Sequence, residues 1–347
     1  MQAQPSVKKR NQKRIRVDFE RTSFLERMKI KFLSGSFFTK IIWSFFRLVL
    51  LLGISYVILF PFFSKISASF MSSADMNDVT VRLIPKYPTL DTYKTIISNS
   101  GYFTALFNTF VLSALCGVVQ TLVCSFVGYG FAKFKFRGSK ILFLLVILTL
   151  VIPHQTLQLS MYMQFRYFDP LGLIGLLGGG VFKDISILPV TSINLTNTYW
   201  PLSIPMTLLS LTGLAFKNGL YIFMMRQFYR GVPDELEESA YIDGAGSLYT
   251  FFKIIIPLSI PMMVTIFLFS FSWQWTDQFY TSLFFTDAGP KLMPSLLTTS
   301  SAGLAKDMSA AAYNSTAGLL IIAPLIILYL FGQKFLVQGI ERSGIVG

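Results

Sequence analysis

The charged residues of this chain fall in clusters. The uncharged apolar runs between them are long enough to cross the ~30 Å hydrocarbon core of a bilayer as helices of about 20 residues. That feature excludes most folds. Open strands cannot cross lipid, because their backbone groups find no partners there, and the runs are too long and too uniformly apolar for a barrel. Composition agrees: 53% of the residues are hydrophobic and 14% charged, where a soluble domain carries about 25% charged. The expectation is an all-α integral membrane protein of six transmembrane helices, at roughly 41–63, 104–131, 141–163, 202–225, 254–275 and 315–333.

Lys and Arg set the orientation. With the amino terminus inside, the inner segments 1–40, 132–140, 226–253 and 334–347, together with Arg47, hold 21 basic residues against eight outside. Lys217 falls within a span. This bias predicts both termini in the cytoplasm. The net charge of +13 is then a signal of topology and lipid contact, not of nucleic acid. The basic stretch from Lys8 to Arg16, beside a membrane span, reads as an anchor to anionic headgroups. It is not a cleaved signal peptide, because the apolar run that follows begins too late and is of full spanning length.

Chemistry-bearing residues are sparse. Cys116 and Cys124 lie on one expected helix, roughly 12 Å apart along its axis, beyond disulfide reach. His154, the sole histidine, follows Pro153 inside the third span, where Pro153 permits a kink. No metal cluster and no Gly-x4-Gly-Lys-Ser/Thr phosphate loop is present. An enzyme in the membrane would need a nucleophile or metal constellation that these residues do not supply. An ion-coupled transporter usually places carboxylates at mid-membrane, and none of the six expected spans contains Asp or Glu.

One polar segment, 233–253, stands between two apolar runs. Pro233 fits a helix start, and Asp234, Glu235, Glu237 and Glu238 fill the first turns, where carboxylates complement the helix dipole. Gly244 and Gly246 then break the helix. A short polar helix projecting from a membrane helix is a shape that plugs into a groove on another protein.

The pattern Glu238-x-Ala240-x3-Gly244-x9-Ile254-x-Ile256-Pro257 resembles the cytoplasmic coupling loop of ATP-binding-cassette importer permeases. Collinear stretches resemble the maltose-type, carbohydrate-transporting group. They are Asp91–Lys94, Phe107–Thr109, the basic turn Gly128–Gly138, and the ending Phe335–Gly339 with its glycine-rich tail. The resemblance covers about 45–347. Ser239 departs from the family's usual Ala, and the outer segment 164–201 is enlarged. The enlarged segment is equally a cap that touches a solute-binding protein and a variable surface loop.

The resemblance implies the type I importer permease fold. Its divisions would be a basic tail (1–40), a first helix with an outer segment (41–103), a five-helix core (104–333) and a cytoplasmic tail (334–347). It also implies a second homologous permease, two ATPase subunits that hold ATP and Mg, and an extracellular solute-binding protein. This chain would bind no cofactor and catalyse no reaction. Glu237, Glu238, Ser239, Ala240, Asp243 and Gly244 would dock on the ATPase, with Ile254 and Pro257 fixing where the next span begins. The substrate would be an oligosaccharide or other carbohydrate, or in a competing reading an amino acid, peptide or phosphonate. Candidate substrate contacts are Lys217, as a cation for an acidic sugar or else bonded to carbonyls near Gly219 or to a partner subunit, and Trp273, Gln274, Trp275 and Asp277 at the outer end of the fifth span. Interfacial tryptophans equally serve as membrane anchors.

Overall fold

The computed structural model describes residues 35–177, 192–197, 204–212, 217–285, 290–296 and 309–344. Among these, every regular element is helical apart from one isolated antiparallel bridge, Phe168 to Ile193. The basic amino-terminal tail and the Gly178–Gly180 run lie outside the described residues. The chain forms two units, Met1–Phe63 and Ser64–Gly347.

Helix α1 (Gly35–Ser69) is 35 residues long, and its Phe, Leu, Ile and Val side chains from Phe38 to Phe63 are exposed all round. Such a surface is tenable only in lipid or against a partner helix. The following turn is pinned by α2 (Ser73–Asn77). Its Ser72 and Asp75 form a reciprocal capping box, and Asp75 also accepts from the Tyr87 amide at 3.0 Å. Helix α3 (Asp91–Asn99) leads into α4 (Tyr102–Lys133), whose 32 residues make it about 48 Å long. Asn108 and Thr109 near its start hold the 290–296 segment, through Lys291 O at 3.1 Å and the Met293 amide at 2.8 Å.

The expected third span does not run straight. Helix α5 (Ser139–Val151) ends where Ile152 and Pro153 turn extended, with ψ of 118° and 130°. After one tight turn, α6 (Gln158–Arg166) leaves at 96°. The residue before proline is pushed out of the helical region, and Pro153 has no N–H to continue the ladder. Helix α7 (Leu173–Leu177) follows. Residues 193–197 then fold back, bonding Phe165 and Phe168 and, through the Asn197 amide, Phe284 O at 2.8 Å.

The expected fourth span is also divided, into α8 (Ile204–Thr212) and α9 (Asn218–Arg230). At 13 residues, α9 is about 20 Å long, too short to cross a bilayer alone. Lys217 heads it with φ of 64°, a left-handed conformation that costs a non-glycine residue about 1–2 kcal/mol.

The fifth is longer than expected. Helix α11 (Ser247–Trp275) follows α10 (Glu235–Ile242) and begins before Ile254, so Pro257 and Pro261 lie inside it. A π-turn at Phe251–Ile255, in which the Ile256 amide reaches back to Phe251 O, widens the helix just ahead of Pro257. Helices α12 (Phe279–Phe284) and α13 (Ser309–Gly344) are the last among the described residues, and α13 passes the expected end at 333 without a break. Among the described residues, four helices are long and apolar enough to cross a membrane, or five if α5 and α6 are one broken span.

Helix α4 is the centre of the core, packed along α9 and α11 through Tyr129, Tyr221, Met225, Tyr229, Phe251 and Met262. Glycines permit this approach, as in membrane helix packing generally. A Cβ on Gly128 would stand 2.6 Å from Met225 Cβ, and one on Gly339 would stand 3.3 Å from Pro261 O and closer still to Thr265. Gly128→Ala therefore destabilises the fold by about 1–3 kcal/mol. Gly130→Ala, two residues on with nothing within 4 Å, is neutral or stabilising by up to about 1 kcal/mol. Thermal unfolding of the two variants in detergent checks this, and equal shifts would refute the packing argument.

Candidate functional site

The 233–253 segment folds as its residue types direct. Asp234 O accepts from the Glu237 and Glu238 amides, both at 3.0 Å, which starts α10. Gly244 ends it with φ of 83°. The Ala245 amide returns to Ala240 O at 2.9 Å and the Gly244 amide to Tyr241 O at 3.0 Å. These two bonds make a Schellman stop, which favours glycine at its left-handed position.

Helix α10 has an inward and an outward face. Glu237 and Ala240, three residues apart, are buried within the chain. Glu235, Glu238, Ser239 and Ile242 share the opposite, exposed face, as do Asp243 and Gly244 beyond it. Ile254 is half-buried and Pro257 exposed on α11. Of the residues expected at an ATPase, Glu237 and Ala240 are thus turned into this chain, while Glu238, Ser239, Asp243 and Gly244 are presented outward. Large apolar side chains absent from the sequence-based set stand beside them: Leu236, Tyr241, Ile242, Leu248 and Tyr249, with Ile242 85% exposed. For Leu236, Tyr241 and Ile242 the signal in the sequence is an apolar residue without a mate on an otherwise polar helix.

What holds α10 is a cluster that sequence reading did not assemble. Lys133, the last residue of α4, reaches Val232 O at 2.7 Å, Asp234 Oδ1 at 2.5 Å and Glu237 Oε1 at 3.4 Å. The Lys133 and Glu237 side chains are 7% and 9% exposed, so this pair is shielded from water. Tyr129, one turn back on α4, donates to Glu237 Oε2 at 3.0 Å. Asp234 is 79% exposed and adds little. The Lys133 hydrogen bond, followed by its charge, holds the Asp234 carboxyl below the usual aspartate range. That small contribution is present above the ordinary aspartate range and is lost as the pH falls through the depressed value.

From Glu237 the contacts run into the core. The Tyr129 ring packs on Phe251 at 4.7 Å and edge-on to Tyr229 at 5.6 Å. Tyr229 Oη shares a bond with Ser125 Oγ at 2.6 Å and donates to Ser259 Oγ at 3.3 Å. One buried cluster therefore links α10 to α4, α9 and α11.

A second polar region lies at the division between α8 and α9. Gln120 Nε2 donates to Ser210 Oγ at 3.2 Å and its Oε1 accepts from Ser270 Oγ. Asn218 Nδ2 reaches back to Ser210 O at 3.3 Å, bracing the two helix pieces. Beside Asn218, Lys217 places its ammonium 5.1 Å from the centroid of the Trp273 ring. Gln274, half-buried, turns to Met206 Sδ at 3.7 Å. Trp275 is buried and donates from Nε1 to Ile321 O at 3.0 Å. Asp277 is buried and accepts from the Phe279, Tyr280 and Thr281 amides at the head of α12. The structure therefore brings Lys217 and Trp273 together and occupies Trp275 and Asp277 in structural bonds.

A sequence model of the family described as binding-protein-dependent transport system inner membrane component matches residues 120–342, which include α10 and the cluster around it. The chain is 26% identical over 297 residues to the arabinooligosaccharides transport system permease protein AraQ of Halalkalibacterium halodurans, covering 85% of this chain and 93% of the relative. It is 27% identical over 307 residues to the galactooligosaccharides transport system permease protein GanQ of Bacillus subtilis, covering 87% and 95%. Its fold is similar to a chain in the crystal structure of a bacterial ABC transporter involved in the import of the acidic polysaccharide alginate. The TM-score is 0.63 at 18% identity, with 85% of this chain and 97% of that chain covered.

Proposed function

We propose that this chain, which belongs to the family of binding-protein-dependent transport system inner membrane components, is a permease subunit of an ATP-driven importer for an oligosaccharide. The observation that carries the reading is α10, a short helix with one face anchored in the core by Glu237 and the other presenting Glu238, Ser239 and Ile242 to a partner. The two named relatives, similar over more than nine-tenths of their length, support the carbohydrate.

The partners follow from that role: a second permease of the same family, two ATPase subunits holding ATP and Mg, and an extracellular solute-binding protein. Both termini and α10 lie in the cytoplasm of a bacterial inner membrane protein with six spans. The bent pair α5–α6 is one broken span, and α8 with α9 is another. When the ATPases close, α10 moves with them, and Lys133, Tyr129 and Phe251 pass the displacement to α4 and α11. Rigid elements with two packed arrangements transmit such motion, since cores do not deform continuously.

Affinity purification of the tagged chain in mild detergent tests the assignment. The expected companions are an ATPase subunit and a second permease, both lost from a Glu238→Lys, Gly244→Asp double variant. A chain that purifies alone and binds solute unaided overturns the importer.

A further inference from the structure

Two unfavourable features coincide on Lys217. It is a cation on a membrane helix pair, where charge is costly and tends to mark a pathway. It is also one of only two described non-glycine residues with positive φ. Strain of this kind persists where the surroundings impose it, often at functional sites. Its position is internal. The neighbouring Asn218 carbonyl accepts from Cys124 Sγ at 3.7 Å, which lies nine residues, about 14 Å, from the Lys133 end of α4 and farther from the other. Headgroup phosphates are out of reach there. Among the described residues no carboxylate comes within ion-pair distance of Lys217; its contact is the face of Trp273, a side chain 48% exposed.

We infer that Lys217 and Trp273 form a subsite for a uronate unit, so that the transported oligosaccharide is acidic; this rests on the reading of the chain as a carbohydrate permease. The ring contact is a resting place for the ammonium. A sugar carboxylate forms a charge-assisted hydrogen bond, stronger than the cation–π contact it replaces. As the ammonium swings to the carboxylate, the indole face it covered meets the C–H face of the pyranose. A neutral sugar gains the ring alone and leaves the cation without an anion.

Uptake of labelled trigalacturonate and galactotriose is measured side by side in cells carrying the complete transporter. Wild type takes up trigalacturonate. Lys217→Met lowers the ratio of acidic to neutral uptake by at least about tenfold, the loss expected for a hydrogen bond between charged groups, while Lys217→Arg keeps it within about twofold. Trp273→Leu lowers uptake of both sugars, since stacking is blind to charge. Galactotriose uptake without trigalacturonate uptake overturns the subsite and leaves the carbohydrate permease standing. Uptake of neither overturns both. An unchanged ratio in Lys217→Met overturns the subsite, as does a Lys217→Met chain that no longer co-purifies with its second permease, which would give Lys217 a partner carboxylate instead.

Discussion

Lys133→Met is expected to abolish ATP-driven uptake while the chain still inserts in the membrane. The substitution keeps most of the side-chain volume and removes the charge that faces Glu237. The carboxylate left behind is buried beside Tyr129, and an uncompensated buried charge costs about 3–5 kcal/mol. The core of α4, α9 and α11 does not depend on that pair, so the cost falls on the seating of α10. The helix leaves its place, and the ATPase then moves a loop no longer braced against Tyr129 and Phe251. Adding Glu237→Gln to Lys133→Met should restore much of the uptake, because a neutral amide still accepts from Tyr129 and carries no stranded charge. Glu237→Gln alone should be milder than Lys133→Met, since the lysine it releases retains Asp234 Oδ1 and Val232 O. Transport assays with limited proteolysis of the 233–253 segment read both consequences. Full uptake with an unaltered cleavage pattern in Lys133→Met would sink the idea that the pair seats the loop.

The Lys133–Glu237 pair shows what sequence reading reaches and where it stops. Lys133 counted as one more inner positive charge, and Glu237 as a carboxylate at a helix start and a member of the docking set; the structure keeps Glu237 in the first turn of α10 but turns it inward. Their meeting requires that the end of α4 fold beside α10, across about a hundred residues, which no local pattern encodes. Local chemistry was legible where it decides the outcome: Gly244 as the stop of α10 and Pro153 as the bend, whereas Lys217 and Trp273 were singled out separately and only the fold brings them together. The division of the fourth span was hidden because one lysine in an otherwise uncharged run, Lys217, does not by itself mark a break. Trp273 and Trp275 were taken together, yet two residues on a helix are about 200° apart, so one is exposed and the other buried. Ile254 and Pro257 suggested where the fifth span begins because the compensating π-turn has no sequence signature.

Gly244→Asp separates docking from folding. Within this chain the substitution is tolerable. Nothing lies within 4 Å of the added Cβ, and aspartate is among the residues that enter the left-handed region most readily. The Schellman stop survives with a penalty of about 1 kcal/mol, so the chain inserts and unfolds near the wild-type temperature. At a partner the result differs. The new carboxylate stands on the outward side beside Asp243, and a close-fitting groove buries it without a counter-charge. That costs about 2–5 kcal/mol of docking free energy, roughly thirtyfold or more in affinity. Uptake is therefore expected to fall to background while unfolding barely changes. Gly244→Asn, with the same backbone tolerance and no charge, should retain more uptake than Gly244→Asp, which assigns the difference to charge rather than to the turn. Gly244→Ala reports the turn alone, because alanine pays the left-handed penalty without adding a polar group. Wild-type uptake by Gly244→Asp, or a fall in its unfolding temperature as large as its loss of transport, would remove the 233–253 segment from the coupling path.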